Sequence, residues 1–390
     1  MKISVDIIIF GGGIAGLWLL AQLKEQGYSA LLLENQSLGQ GQTILSQGII
    51  HGGTKYAVKQ QLTPLARHIK TMPAYWQACL QGTGELSLQG TKILSSHQYL
   101  WTPHQWGSRF VGFLTSKAMQ SRVNKLKHHD YPTIFKNEKS EVYALNEPVL
   151  DVYSLLHVLR KKYLNFIFKI DTNTIKFHFK DKLLEKIKLN DIFIESKFFI
   201  FTSGQGNQFF LKKFNLETIK TQLRPLQMLL IKHLPYPLYA HCVDKNFKPR
   251  LTITSYPTSE GYAWYFGGEI AEQGSKQEPQ AVFEKGIKEL KILFPEMPLK
   301  NLSWKTVYIN RSEPWQENGK IPALPSIQTH HNLLFAWPIK LAYAPLLTKE
   351  IFSVIKKNGL LPSFSSSNDS LNLPKPSVAI PPWLEENQWN

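Results

Sequence analysis

Cysteine is almost missing from this chain. Cys79 and Cys242 are the only two in 390 residues, and they stand far apart. That excludes a disulfide scaffold, a cysteine-rich zinc site and an iron–sulfur site as the organising theme. No uncharged apolar run reaches the ~18 residues of a membrane-spanning helix. The N-terminus enters a strand-like run at once, without a secretory apolar region and cleavage site. No internal repeat is visible. Acidic residues are scarce as well: 29 Asp and Glu stand against 45 Lys and Arg, a formal net charge of +16. The excess favours anionic partners, whether a cofactor, a small anionic substrate, a nucleic acid or the inner face of a membrane. It is equally the mark of an ordinary solvated surface, because the lysines are spread through strands and helices rather than gathered in one tail. The expectation is a globular, cytoplasmic protein without a metal centre.

What is present is material for a large interior. Hydrophobic residues make up 43% and aromatics 12%, too much for disorder over most of the chain. The length admits about two or three domains. Residues 5–10 read as a buried strand, Ile14 to about Gln26 as a helix stopped by Gly27, and Ala30–Leu33 as a second strand closed by Glu34. Helices are expected at 63–82, 151–163, 280–293 and 345–357. Strand-like runs occupy 165–170, 174–180, 192–195, 197–202, 223–232 and 250–270, and a final apolar strand spans Leu333–Trp337. Residues 361–390, rich in Ser, Pro and Asn, read as a loosely packed tail. This order implies an α/β protein in two parts. A Rossmann-like nucleotide-binding domain with a parallel sheet would be assembled from 1–84, 150–215 and 305–360. A substrate domain on a mostly antiparallel sheet, 85–149 and 216–304, would be inserted between the pieces.

The most specific motif is Gly11-Gly12-Gly13-Ile14-Ala15-Gly16, a G-x-G-x-x-G between a strand and a helix. Gly11 permits the tight turn, Gly13 lets the backbone approach a pyrophosphate, and Gly16 allows close helix–strand packing. The helix N-terminus then offers free N–H groups and a favourable dipole to the diphosphate. Glu34 ends the second strand, where a carboxylate accepts hydrogen bonds from ribose hydroxyls and repels a 2′-phosphate, which argues against NADP. A second loop, Gly39 to Gly53, is rich in glycine and small hydroxyls and suits backbone wrapping around a flat ligand. Within it Gln42, Thr43, Ser46, Gln47 and Gly48 are candidate cofactor contacts.

The stretch Ser46-Gln47-Gly48-Ile49-Ile50-His51-Gly52-Gly53 resembles the FAD-dependent oxidoreductases of the D-amino-acid oxidase superfamily, closest to their hydroxyglutarate and glycerol phosphate branches. Further blocks follow in the family's order. Leu150–Leu156 is similar to the helix opening the second part of the flavin domain, and Phe199–Gly206, with Ser203 and Gly204, to the strand ending in a small residue and glycine. Leu223–Met228 is similar to the strand entering the substrate domain. Arg311, Gly319–Pro322 and Leu333–Pro345 are similar to the closing segment. The resemblance implies FAD as cofactor and oxidation of a C–H bond alpha to an amine or hydroxyl of a small carboxylate-bearing substrate, with hydride passing to the flavin and electrons then to oxygen, a quinone or another acceptor. The same superfamily includes a flavoprotein that acts on tRNA wobble uridine side chains, a second reading that the net charge would serve. A flavin-binding protein that has lost catalysis is a third.

One departure bears on the site. The family's closing loop is rich in glycine, whereas here it reads Trp337-Pro338-Ile339-Lys340-Leu341-Ala342-Tyr343-Ala344. Lys340 and Leu341 are placed at the flavin's pyrimidine edge by this resemblance, and Lys340 is then either a charge beside the reduced ring or a surface lysine. Arg311 is either the carboxylate anchor or the ion partner of Glu313. His51 is either a general base on an alcohol or a packed histidine. The best candidate anion-binding patch is basic and runs from Arg109 to Lys127, with Trp101 and Trp106 upstream.

Overall fold

The computed structural model describes residues 2–52, 69–102, 123–137, 139–243, 249–364, 371–387 and 389–390. Strand β1 (Lys2–Phe10), helix α1 (Ile14–Glu25) and strand β2 (Ala30–Glu34) open the chain as a βαβ unit. β1 and β2 are apolar in consecutive positions, not in alternation, which is how a strand reads when both faces of a parallel sheet are covered. Ile192–Phe201 pairs in parallel with β1, Leu333–Trp337 pairs in parallel with Ile192–Phe201, and Ile167–Lys169 pairs in parallel with β2. Segments from three distant parts of the chain thus build one sheet.

The two faces of that sheet have separate interiors. On one, Ile7, Ile9, Leu32 and Ile200 pack under α1 and the helices Val152–Tyr163 and Ala344–Lys357. α1 is buried almost all round, so it carries no polar stripe. On the other face, Phe10, Phe201 and Phe335 come from adjacent strands and stack, with ring centroids 5.0 and 4.7 Å apart. The two-stranded ribbon Lys176–Lys180 and Leu183–Leu189 and the short helix Asn207–Lys213 lie with this second interior.

The second sheet has the order Trp304–Pro314, Thr221–Leu234, Gly261–Gly267, Pro249–Thr258, Ala240–Val243, Gln98–Trp101, Tyr143–Leu145, Val123–Lys125. It is antiparallel except where Ala240–Val243 meets Gln98–Trp101. Helix Pro279–Leu293 covers one face, against Leu229, Ile231 and Trp264. The opposite face looks toward the glycine turn.

Several expectations need correction. Trp304–Pro314, expected among the nucleotide-binding pieces, is an edge of the second sheet. It pairs with Thr221–Leu234 from Thr221↔Pro314 to Ile231↔Trp304, because a strand that long needs a partner of matching length. The run expected as two strands at 192–202 is one, Ile192–Phe201, and the strand Leu183–Leu189 was not anticipated. The tail beyond residue 370 packs closely where it is described. Leu38 donates to the carbonyl of Ser377 and accepts from Ala379, and Trp383 stacks on Tyr256 at 3.5 Å between centroids. Proline removes backbone donors without removing apolar area, so a segment poor in ladders is still held by Leu371, Val378 and Trp383. Residues 63–68, Gly53, Trp106 and most of the Arg109–Lys127 patch lie outside the described residues.

Across the edge pair, Arg224 grips Glu313 with Nη2–Oε1 at 2.7 Å and Nε–Oε2 at 3.2 Å, and the Glu313 side chain is 1% exposed. Breaking a buried pair from one side leaves an uncompensated charge, at a cost of about 3–5 kcal/mol, whereas replacing both partners by apolar residues is close to neutral. Arg224→Met is therefore expected to lower the denaturation midpoint markedly, and Arg224→Met with Glu313→Leu to recover most of it. Equal losses in the single and double variants, measured by chemical denaturation, would contradict the pairing.

Candidate active site

β1 delivers the chain into a turn that only glycine permits. Gly11 has φ +104°, and a Cβ there would lie 2.6 Å from the Ser203 Cα. A Cβ on Gly16 would stand 2.0 Å from the Gly11 carbonyl oxygen, so α1 rests directly on the turn that precedes it. Gly13 caps α1 without a side chain, and no acidic residue occupies the first turn. Ile14 N–H donates to Thr43 Oγ1 at 3.0 Å. The remaining N–H groups of the first turn have no intrahelical acceptor, which makes this end of α1 an anion site.

Glu34 closes β2 beside it. Gly12 N–H donates to Oε2 at 2.5 Å and Gln36 N–H to Oε1 at 2.7 Å. Burial pushes the carboxyl pKa up, and the backbone hydrogen bonds from Gln36, Gly12 and Asn35 oppose that rise. The residue expected to address a ribose thus also fixes the glycine turn.

Two cavities meet at this point. The larger, about 670 Å³, is lined by Gly11, Gly13, Ile14, Ala15, Glu34, Gln42, Thr43, Ser203 and Gly204 among others. The smaller, about 350 Å³, takes in Ser46, Gln47, Gly48, His51, Arg311, Lys340 and Leu341. Ile14, Gln42, Thr43, Pro338 and Ile339 line both, so the two form one continuous trough. Of the expected cofactor contacts only Gly16 lines neither. Its part is the packing of α1.

The loop after Gly39 is held by its own backbone and by the second sheet. Gly48 has φ +71°, and a Cβ there would meet the Leu150 carbonyl oxygen at 2.1 Å. Gln47 Nε2 donates to the carbonyls of Tyr265 at 2.9 Å and Thr252 at 3.2 Å, fastening the loop to the second sheet. Ser46 Oγ donates to the Thr43 carbonyl at 2.8 Å.

The closing loop solves the absence of glycine at a cost. Lys340 N–H donates back to the Pro338 carbonyl at 2.7 Å, a three-residue turn centred on Ile339 at φ +66°. A β-branched residue there is strained by about 1–3 kcal/mol. Ile339 so held lines both halves of the trough. Lys340 lies on the cavity wall with Nζ 5.3 Å from the Tyr343 ring centroid.

Arg311 stands directly across from Arg224 in the strand pair, but the two guanidinium groups have different surroundings. Glu313 belongs to Arg224. Arg311 Nε and Nη2 are buried and have no hydrogen-bond partner among the described residues. Two buried guanidinium nitrogens without an acceptor are costly, and an anion in the cavity would offset that cost.

The same cavity holds a group that the sequence did not reveal. His51 Nδ1 lies 3.2 Å from Glu147 Oε2, and Glu147 Oε1 accepts from Gly52 N–H at 2.8 Å. His241 faces them, its ring 5.8 Å from that of His51 and its Nδ1 2.9 Å from Thr252 Oγ1. Burial drives the Glu147 pKa up, but the His51 hydrogen bond, the charges of His51 and His241 and the Gly52 N–H together hold it at about 2. Glu147 was missed because its partner is 96 residues away, in a stretch with no periodicity.

The trough fits a flavin dinucleotide. A cradle that any Cβ would obstruct lies at the positive end of a helix, and it continues into a cavity where two buried Arg311 nitrogens have no partner among the described residues. The comparisons with known proteins agree. Residues 6–125 match the family model for the FAD-dependent oxidoreductases abbreviated DAO. The FAD-dependent oxidoreductase PA4991 from Pseudomonas aeruginosa is 37% identical over 386 residues, 98% of either chain. Its crystal structure superposes with a TM-score of 0.85 over 98% of both chains. L-alpha-glycerophosphate oxidase from Mycoplasma pneumoniae, solved with FAD bound, superposes with a TM-score of 0.64 at 14% identity, covering 95% of this chain and 99% of that one. Glycine oxidase from Geobacillus kaustophilus reaches 0.62 at 12% identity, covering 95% and 98%. At those identities the likeness carries the fold alone. Full-length identity to a flavin oxidoreductase, the matched family model and a trough shaped for the cofactor lead to one conclusion: the chain belongs to the DAO family of FAD-dependent oxidoreductases, and FAD is its cofactor.

Proposed function

We propose that this oxidoreductase oxidises the C–H bond alpha to the hydroxyl of a small 2-hydroxy acid. The observation that carries the reading is the pair of buried Arg311 nitrogens, Nε and Nη2, that find no hydrogen-bond partner among the described residues, in the same cavity as the His51–Glu147 pair. A carboxylate on the substrate supplies the acceptor that Arg311 lacks, in the two-pronged geometry that a guanidinium favours. Bound FAD supplies the two-electron acceptor, and electrons leave afterwards to oxygen, a quinone or another carrier. Gly11, Gly13 and the first turn of α1 would hold its diphosphate, and Glu34 would accept from the adenosine ribose. Ser46, Gln47, Gly48, Lys340 and Leu341, which line the adjoining cavity, would hold its ring.

The remaining chemistry is the protein's own. An alcohol that loses hydride must also lose its O–H proton, and His51 stands ready to receive it. A neutral amine needs no such base, because its lone pair already stabilises the cation left behind. A buried carboxylate behind the histidine therefore favours the hydroxyl reading over the amine one. Arg311 fixes the acid end, so the C–H bond is presented in one orientation rather than many.

Four outcomes are expected. With the flavin reduced anaerobically by a panel of substrates, 2-hydroxy acids should bleach it and the matching amino acids should not; the reverse ranking sinks the hydroxyl reading. Gly13→Glu should remove FAD from the purified protein, and a full flavin complement in that variant would refute the diphosphate assignment. Arg311→Lys should raise KM by about 10- to 100-fold, the loss of about 1.5–3 kcal/mol of charge-assisted hydrogen bonding, with FAD content unchanged. For Lys340→Met, removing a positive charge beside the reduced ring should make reduction harder. The midpoint potential should fall by about 30 mV for each ~1.4 kcal/mol of stabilisation lost. A dye-referenced titration that gives the wild-type potential would assign Lys340 to the solvent.

A further inference from the structure

Two histidines over one buried carboxylate exceed what a single general base requires. Glu147 is packed at the cavity floor and is 5% exposed. One of its oxygens is taken by Gly52 N–H and the other faces His51. His241 comes from a different strand, Ala240–Val243, and is itself 8% exposed. Its Nδ1 is engaged by Thr252 Oγ1, and its ring lies tilted 29° from that of His51. One donor atom from each of His51, Glu147 and His241 can be chosen so that all three lie within 4.8 Å of one another. Among the described residues, the other charged groups lining the cavity are Arg311, Lys340 and Glu272.

We propose that Glu147 is a positioning residue shared by two imidazoles: it orients His51 for the substrate proton, and His241 limits how firmly that proton is kept. The inference rests on the hydroxy-acid reading above. An ionised Glu147 beside Nδ1 fixes the His51 proton there, so Nε2 is the basic nitrogen. In the reaction the substrate C–H electron pair leaves as hydride to the flavin. The O–H electron pair becomes the second bond of the new carbonyl, and the hydroxyl proton passes to His51 Nε2. The cluster then holds one carboxylate and one imidazolium and is neutral. A second proton, on His241, would place two like charges with ring centroids 5.8 Å apart beside the one carboxylate, Glu147, that the described residues bring to both. His241 thus keeps His51 from becoming too strong a base to release the proton before the next turnover.

The two neighbours act with opposite sign, and that is the test. The holoprotein is labelled with ¹⁵N-histidine, and the His51 ring signal is identified by its loss in His51→Gln. Glu147→Gln keeps the acceptor for Gly52 N–H and removes the charge, so the His51 titration should move down by about 1–2 pH units. His241→Gln removes the competing cation, so the same titration should move up. In turnover with the 2-hydroxy acid that bleaches best, Glu147→Gln should lower kcat at least ten-fold with little change in KM, and the acidic limb of its pH profile should follow the ring titration. Shifts of the same sign in both variants, or no shift in either, overturn the proposal. A wild-type titration that changes on dialysis against EDTA assigns the cluster to a bound cation and overturns it as well. If no 2-hydroxy acid bleaches the wild-type flavin, the functional reading fails while the ring titrations still judge the shared carboxylate.

Discussion

Two stretches of backbone can touch only where side chains stand aside, and the trough depends on that constraint at Gly11. The turn after β1 lies against Ser203 at the end of Ile192–Phe201, and α1 rests on the turn through Gly16. A methyl group at either glycine would push the helix from the sheet or the two strand ends from each other. Everything downstream assumes this closeness: the aim of the first turn of α1, the reach of Glu34 to Gly12 N–H, and the meeting of the two cavities at Ile14 and Thr43.

Electrostatics then divides the second cavity between satisfied and unsatisfied charge. Arg224 and Arg311 face each other across the same strand pair, but Glu313 can neutralise only one. The one it leaves is the one that lines the cavity. Glu147 makes the complementary point: a carboxylate in a buried site stays ionised because two imidazoles and a backbone N–H surround it. The same cavity is thus lined by Arg311 nitrogens that lack an acceptor among the described residues and by a histidine backed by an ionised carboxylate.

The sequence made the first half of this legible. The glycine spacing, the apolar strand before it and the acid after it lie within one short stretch of sequence, although Ser203, which the glycine turn touches, comes from far along the chain. The parallel sheet was legible too, from apolar runs at 192–202 and 333–337 that alternate with helical segments. The cavity walls were not. Glu147 and His241 are ordinary residues in sequence, and only the pairing of Gln98–Trp101 with both Tyr143–Leu145 and Ala240–Val243 brings their segments beside His51. The lack of glycine in the closing loop was plain, but its resolution as a strained turn at Ile339 was not, because propensity disfavours such a turn. The tail misled because composition reports missing ladders and says nothing of Trp383 finding Tyr256.

The interleaving of the parallel sheet also orders events during synthesis. The glycine turn leaves the ribosome early, together with β2, but the strand that carries Ser203 follows about 180 residues later. At about 5–20 residues per second that is a wait of roughly 10–40 s. Throughout it, β1 has an open edge rich in isoleucine, the sort of surface that invites pairing with another nascent chain. The closing strand Leu333–Trp337 arrives later still. Cofactor capture is then a late event, and the protein's yield in a cell will depend as much on what shields β1 in that interval as on how much FAD is at hand.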